Sequence, residues 1–381
     1  MNNEPTSSGH RGRQRVCQVP ARGHGVHSLK RWFLALAFLL GACAAEPLPE
    51  PKELVWPPPP DQPRYYYEGM IRSSADVVED GWVTSFRRFA TGEGKTGKGL
   101  AKPFGVAADR GRVFVSDTVG RKVAVFDFAG KRYYEIGARG VGALVKPLGV
   151  ALDRANQLLY VVDSTAQRVV AFDYEGEYRT AMGGDELLRR PSGVAVSPDG
   201  RKIYVVDTGG VDSRQHKVVV FDPDGRHLFD IGERGTADGD FNLPLSATTA
   251  ADGTLHVVDG GNFRVQSFSP SGGFIDSFGG VGRRPGQFSR PKSIAAGPDG
   301  TIVVSDAAFG NIQLFDSEGR LLMFIGQRSE EGGAAQYMLT SGVGMDEDGR
   351  IYVVDQFFGK VDIFRPAKIA PNTLAEAGAA P

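Results

Sequence analysis

A short apolar string that ends in a polar turn recurs six times along the chain. Each copy consists of five residues, the last of which is aspartate, as in VFVSD and IYVVD, and successive copies are 44 to 52 residues apart. A second apolar string, usually ending in Phe-Asp, follows after a short gap. This spacing predicts pairs of buried strands joined by tight loops. The repeated aspartates are Asp117, Asp163, Asp207, Asp259, Asp306 and Asp355.

Two more strings complete each unit. One precedes the aspartate string, as in FGVAAD, and one follows the second string and ends in glycine, as in RYYEIG. Asp-Gly pairs separate several of these strings, which is typical of hairpin turns. Glycine makes up 51 of 381 residues, about twice the usual ~7%. Four short strands per unit and a period of 40–50 residues predict an all-β fold, a six-bladed β-propeller.

The sixth unit stops after its third strand, at Pro366. The string RYYYEGMI, residues 64–71, is similar to the fourth strand of the first unit. We therefore expect residues 64–71 to close the last blade beside 361–364, which removes two exposed sheet edges. The propeller would then span 64–366, followed by a disordered tail over 367–381.

The units share the pattern P-x-G-V-A, [IL]-Y-V-V-D, [RK]-V-x-x-F-D and a final I-G. This pattern resembles that of the NHL-repeat family of six-bladed propellers, over about 265 residues. The resemblance implies the fold but no single function, because propellers of this kind include protein-binding scaffolds, RNA binders and a few metal enzymes.

An export signal is predicted over residues 1–42. Nine apolar residues, 32–40, follow Lys30 and Arg31, too few for a transmembrane helix of roughly 20 residues. The string LGAC, ending at Cys43, resembles a bacterial lipobox, which implies that Cys43 is acylated and anchors the protein in a membrane. Ala44 favours the outer membrane, since an aspartate there would resemble an inner-membrane retention signal. The translated chain is expected to start near Val26, which leaves a conventional basic leader.

Residues 43–63 are predicted to be the lipidated cysteine and a proline-rich tether, because eight prolines lie in 44–63. Such a segment is extended and could reach ~60 Å. Beyond residue 42 the chain has 38 Lys/Arg and 44 Asp/Glu, a net charge of −6. This balance argues against nucleic acid as a partner.

The six aspartates are predicted to be structural, because a residue that is present in every unit serves the fold that the units share. Their carboxylates could accept hydrogen bonds from turn N–H groups or pair with a basic residue about five positions further on. The three histidines beyond residue 42, His216, His227 and His256, occupy different positions in their units. They are not expected to converge on a zinc site or a catalytic triad.

Lactonase-like propellers hold calcium with carboxylates and amides around the central channel. The positions predicted to face the channel here carry none of these groups, and GEGKTGKG (92–99) lacks the glycine that a phosphate loop requires five residues before Gly94. We therefore predict no catalytic residue, no cofactor and no metal, and lean against an enzyme. The predicted channel positions are Phe104, Leu148, Ser192, Ser246, Ser293 and Ser341.

The loops after the second and fourth strands should emerge at the same end of the propeller. Together with 72–102 they carry about five more basic than acidic residues, and aromatic side chains lie among the arginines. Arginine and aromatic residues on rigidly held loops are typical of binding surfaces. The predicted partner face comprises Arg87, Arg88, Phe263, Arg283, Arg284, Phe309, Phe357 and Phe358.

The sequence thus predicts an exported, lipid-anchored and monomeric propeller that binds an envelope protein or an anionic polymer without catalysis. Two alternatives stay open. One is a metal-dependent hydrolase or lyase of the six-bladed class, and the other is a scaffold for exported redox proteins, although the sequence contains no CxxCH haem motif.

Overall fold

Six antiparallel sheets are arranged in a ring around a central channel, which confirms the predicted six-bladed propeller. The computed structural model describes residues 53–78, 91 and 97–371, and the structural statements below concern these residues. The predicted signal peptide, Cys43 and most of the GEGKTGKG string lie outside them. No helix among the described residues is long and apolar enough to span a membrane.

Each blade is described here by its strands, counted from the channel outwards. Blade 1 contains Pro103–Asp109, Arg112–Asp117, Lys122–Asp127 and Arg132–Ile136. Blade 2 contains Pro147–Asp153, Leu158–Asp163, Arg168–Asp173 and Tyr178–Gly183. Blade 3 contains Pro191–Val196, Ile203–Asp207, Lys217–Phe221 and His227–Ile231. Blade 4 contains Pro244–Thr249, Leu255–Asp259, Arg264–Phe268 and Phe274–Gly279. Blade 5 contains Pro291–Ala296, Ile302–Asp306, Asn311–Phe315 and Leu321–Ile325.

Blade 6 joins the two ends of the described chain. Its inner strands are Thr340–Met345, Ile351–Asp355 and Lys360–Pro366, and its fourth strand is Tyr65–Ile71. A fifth, short strand, Val55–Trp56, pairs outside the fourth. Val55 and Trp56 of the segment predicted as a tether therefore belong to the sheet, and Trp56 packs edge-on against Phe364 at 5.3 Å. At the other end, Ala367 N–H donates to Arg64 O, while 372–381 of the predicted tail lie outside the described residues.

The core consists of six apolar layers, each lying between two neighbouring blades. Between blades 3 and 4, for example, Val206 and Val218 pack with Leu255 and Val257. Both faces of a blade are therefore covered, which explains why the second strands are continuous apolar runs rather than alternating ones. The fourth strands lie on the outside and are largely exposed, as in blade 4.

Glycine in the first strand allows neighbouring blades to approach closely around the channel. A Cβ at Gly149 would lie 2.8 Å from Ser192 O, and one at Gly342 would lie 2.4 Å from Phe104 O. Real Cβ atoms do not come this close to backbone atoms, so a side chain at either position would push two blades apart. Glycine at these positions therefore permits the close approach of the neighbouring blade, whereas blades 4 and 5 have serine, Ser246 and Ser293, at the equivalent position.

His256 gives the fold a specific pH dependence. The side chain is buried in the second strand of blade 4, with Nδ1 2.9 Å from Ser267 Oγ. Burial lowers the pKa of His256 to about 4, so the unfolded chain takes up a proton at higher pH than the folded one. Stability is then full above about pH 6.5 and is lost as the pH falls towards 4.

We expect the wild-type protein to lose about 2 kcal/mol of unfolding free energy between pH 7.5 and 5.0 that His256→Phe does not lose. Phenylalanine is a matched replacement, since Phe114 occupies the equivalent position in blade 1. Urea unfolding at the two pH values measures the difference. Equal losses in both proteins would show that His256 is not the titrating group.

Candidate ligand-binding face

The loops after the second and fourth strands emerge at one end of the propeller, and we call this end the long-loop face. At the opposite end of the described chain, tight turns connect the strands, except for residues 57–64, which connect Trp56 with Tyr65. In the described residues the long-loop face comprises 72–78, 97–102, 118–121, 137–146, 164–167, 184–190, 208–216, 232–243, 260–263, 280–290, 307–310, 326–339 and 356–359.

The longest of these loops are folded back on themselves. Those between blades 3 and 4, 4 and 5, and 5 and 6 each contain a short parallel pairing, such as Val281 with Phe288. Each is anchored by a fully buried aromatic side chain: Phe241, Phe288 or Tyr337. These three loops are therefore ordered before a partner binds, which lowers the conformational entropy lost on binding.

The six repeated aspartates fasten these loops to the blades. In blade 5, Oδ2 of Asp306 accepts the N–H groups of Ser289 and Arg290, and Oδ1 accepts those of Ala308 and Phe309. The other five aspartates accept backbone N–H groups in the same way, and all six are fully buried. Pairing with the basic residue five positions further on occurs in blades 2 and 4, through Arg168 and Arg264.

These hydrogen bonds also place a ring of basic side chains. In four blades a residue whose N–H donates to the aspartate lies directly before the first strand and is basic. Its side chain lines the mouth of the central channel at the long-loop face. The four residues are Lys102, Lys146, Arg190 and Arg290.

Lys292 is a fifth cation that lines this cavity. It follows Arg290 by two residues in the chain and is half-buried. Burial lowers its pKa, and the neighbouring Arg290 charge lowers it further. The five side chains line a cavity of about 430 Å³, and no Asp or Glu is among its lining residues. Within the described part of the chain, no carboxylate forms an ion pair with any of the five. We call this cavity the basic mouth.

Two of the channel positions predicted from the sequence, Ser246 and Ser293, line the cavity but are one residue out of register with the other four. Pro244 pairs with Asp259 and Ser246 with Val258, so Ser246 occupies the position of Gly193 in blade 3. The same shift applies to Ser293 in blade 5. The residues equivalent to Phe104, Leu148, Ser192 and Ser341 are therefore Leu245 and Lys292. Alignment on the strand-initial proline, and on the basic residue before it, would have found Lys292 and the ring of cations.

The channel serines tie blades together. Ser192 Oγ donates to Leu245 O at 2.8 Å, and Ser341 Oγ donates to Phe104 O at 3.0 Å. Each bond connects one blade with the next, so these hydroxyl groups donate their protons to carbonyl oxygens of the neighbouring blade. Ser246 Oγ and Ser293 Oγ are 3.4 Å apart, again across a blade boundary.

The predicted partner face is partly exposed and partly packed. Arg283 and Arg284 are exposed on one long loop, and Phe357 is 63% exposed. Phe358 is half-buried and meets Phe357 edge-on at 5.0 Å, while Phe263 packs against the layer between blades 4 and 5. Phe309 is half-buried, and Arg87 and Arg88 lie outside the described residues.

Exposed apolar side chains at loop tips belong to the same face as the basic mouth, and of these only Phe357 was predicted from the sequence. Among the residues that the structure describes, five large apolar side chains are more than three-fifths exposed, and all five belong to the long-loop face. A single valine in a loop cannot be recognised from the sequence as part of a binding surface. Only the fold shows that these exposed side chains lie on the same face. The five are Val119, Val141, Val211, Val281 and Phe357.

The opposite mouth of the channel has a different character. It has a similar cavity of about 410 Å³, lined by acidic residues, including Asp346 and Glu347, and by Arg154. Arg154 Nη2 donates to Ala108 O and Met345 O, so this side chain fastens blade 2 to blades 1 and 6. Burial raises the pKa of Glu347, and the nearby Asp346 and Asp109 charges add to the effect.

Each histidine has its own local partner. His216 Nδ1 accepts Leu243 N–H, His227 lies 2.8 Å from Asp230 Oδ1, and His256 contacts Ser267. In the described ranges, no group of three or more His, Cys, Asp or Glu side chains could hold a metal ion.

Comparisons with known proteins agree on the fold. Residues 105–185 match a family described as a 6-bladed beta-propeller, and no curated protein matches the chain. A structural genomics protein of unknown function from Bacteroides thetaiotaomicron is 14% identical with a TM-score of 0.58, covering 79% of this chain and 76% of that one.

Two enzymes are among the similar solved structures. A gluconolactonase from Xanthomonas campestris is 19% identical with a TM-score of 0.52, over 70% of this chain and 86% of its own. A streptogramin B lyase is 13% identical with a TM-score of 0.50, over 70% and 94%. At these identities the similarity shows the fold alone, and the chain is a six-bladed β-propeller protein.

Proposed function

We propose that the protein is an exported, lipid-anchored propeller that holds an acidic envelope protein on its long-loop face and performs no catalysis itself. The observation that carries the proposal is the common location of the five most exposed large apolar side chains. Scattered apolar residues are normal on a protein surface, whereas a concentration on one face is typical of an interaction site.

The chemistry of the face favours a protein with a negatively charged surface. Apolar loop tips gain free energy when a partner covers them, by roughly 1–2 kcal/mol for each large side chain. Arg283, Arg284 and the basic mouth add positive charge between these tips. Complementary charge selects acidic partners and speeds association. An anionic polymer would satisfy the charges but would leave the apolar tips uncovered.

Acylation of Cys43 would hold the propeller near a membrane, and the short strand Val55–Trp56 limits the distance between them. Because residue 55 is already part of blade 6, about eleven residues separate the lipid from the propeller, with a maximum reach of about 40 Å. The proposed tether is therefore shorter than the ~60 Å indicated by the prolines alone.

Site-specific photo-cross-linking in intact cells tests the proposal. A photoreactive residue at Val119 or Val281 is expected to give a protease-sensitive adduct, and one at Asp224, in an exposed turn at the opposite end, is expected to give none. Excess purified propeller should suppress the adduct. The double variant Val281→Ser with Phe357→Ser should need at least about tenfold more protein for the same suppression.

Several results would overturn parts of the proposal. Adducts of equal yield from both ends, or suppression by the double variant as efficient as by the wild type, would reject the face. A protease-resistant adduct would identify an anionic polymer instead of a protein. Cys43→Ser should move the protein to the soluble fraction, and retention in membranes would reject the lipid anchor.

Elemental mass spectrometry of the purified protein tests the non-catalytic part. We expect less than one tightly held calcium or zinc ion per chain. One ion per chain that survives extensive dialysis would favour the alternative of a metal-dependent hydrolase or lyase.

A further inference from the structure

We infer that the basic mouth is a binding site for a compact organic anion that carries two or more carboxylate or phosphate groups. The inference rests on the proposed function in one respect: both place binding at the long-loop face. A free solute and the end group of a larger molecule can present the same chemistry, and the experiment below separates them.

Positive charges converge on the basic mouth, and the charge of the buried Asp306 offsets them only in part at Lys292, whose pKa stays lowered. Five cations from four blades line one cavity, and no carboxylate is among the lining residues. Basic residues further out on the blades are paired, as Lys122 is with Glu135 and Lys217 with Asp230. Mutual repulsion in a cavity is costly, and a bound anion relieves it.

The cations are also held in place. Backbone N–H groups of Lys102 and Arg290 donate to fully buried aspartates, so the starting points of their side chains are fixed by the blades. Lys292 is part of a first strand itself. Such preorganisation is what distinguishes a binding site from solvated surface charge.

The apolar part of the wall of the basic mouth favours a ligand that has carbon atoms as well as anionic groups. Phe104, Leu148 and Leu245 line the cavity between the cations. Its volume of about 430 Å³ is within the range of small-molecule sites and exceeds what one inorganic ion fills.

The opposite mouth provides an internal comparison. It has nearly the same volume, but Asp346 and Glu347 are among its lining residues. A multivalent anion therefore distinguishes the two ends of one channel by charge alone. This makes the basic mouth the single expected site for such a ligand in the described part of the propeller.

Titration calorimetry on the unacylated chain, residues 43–381 with Cys43→Ser, tests the inference. The probes are citrate and inorganic pyrophosphate, with acetate at matched ionic strength as the monovalent control. We expect one site per chain for citrate, weaker binding as sodium chloride is raised, and no saturable heat with acetate. Pyrophosphate should bind more weakly because it has no organic body to cover the apolar wall.

Matched variants assign the site. Lys292→Met keeps the length of the side chain and removes its charge, and should weaken citrate binding by about tenfold or more. Lys292→Arg should restore most of the affinity. Arg139→Gln, an exposed residue of the same face outside the cavity, should change it less than about twofold. Thermal unfolding verifies that each variant is folded.

The outcomes are separable from those of the proposed function. Equal citrate binding by wild type and Lys292→Met, or no citrate binding by the folded wild type, would overturn the inference while leaving the cross-linking result at Val281 intact. If citrate binds and displaces the cross-linked partner, the anion is an end group of that partner. If citrate binds without displacing it, the ligand is a free solute.

Discussion

A chain that lacks residues 53–71 should lose more than about 4 kcal/mol of its unfolding free energy. Tyr65–Ile71 forms the fourth strand of blade 6 and pairs with Lys360–Pro366 along its whole length. Tyr65 and Ile71 are buried, and Glu68 forms a 2.8 Å ion pair with the fully buried Arg350. Deletion would remove these contacts and expose the edge of the third strand, which also favours aggregation.

A circular permutant is the matched control for this deletion. Tyr65 lies directly opposite Pro366 in the antiparallel pair, so an Asn-Gly turn between residues 366 and 65 should form a hairpin. A chain that starts at Gly97, runs to 366 and continues through this turn into 65–78 should recover most of the lost stability. Urea unfolding compares the proteins; a deletion with an unchanged midpoint, or a permutant without recovery, would contradict the closure mechanism.

Replacing Asp306 by Asn should cost about 3 kcal/mol of unfolding free energy. Both carboxylate oxygens accept two backbone N–H groups each, from Ser289 and Arg290 on one side and from Ala308 and Phe309 on the other. The amide of Asn has one accepting oxygen, and its NH₂ group would face two N–H donors. The isosteric variant should therefore be nearly as unstable as Asp306→Ala.

Asp299 of the same blade provides the control. It is exposed in a turn, where its Oδ1 accepts Thr301 N–H at 3.1 Å. Asp299→Asn should cost less than about 1 kcal/mol, since solvent can replace this bond. Denaturant unfolding of the variants decides the question. An Asp306→Asn protein as stable as Asp299→Asn would show that the repeated aspartates do not hold the loops.

The local pattern predicted most of the fold. Repeated apolar strings at intervals of 44 to 52 residues fixed the number of blades, and the incomplete sixth unit together with RYYYEGMI indicated the closing strand. These features are local because each strand needs only its own apolar run and its own turns. The presence of one aspartate per unit likewise indicated a structural element, although the loop N–H groups that each carboxylate accepts, four of them at Asp306, became apparent only from the loop geometry.

The functional face depended on tertiary structure. Lys102 and Arg290 are almost two hundred residues apart in the chain, and they meet at one mouth because closure of the ring brings all first strands together. The register of the first strands decided that Leu245 and Lys292 face the channel, since a shift of one residue reverses which side a strand residue faces. Trp56 could not be assigned to blade 6 from a proline-rich string, because its packing partner Phe364 lies at the other end of the propeller sequence. The sequence by itself thus determined the repeated unit and its closure, through short-range patterns. The convergence of charges and apolar loop tips on one face was decided by the ring, because it depends on contacts between residues far apart in the chain.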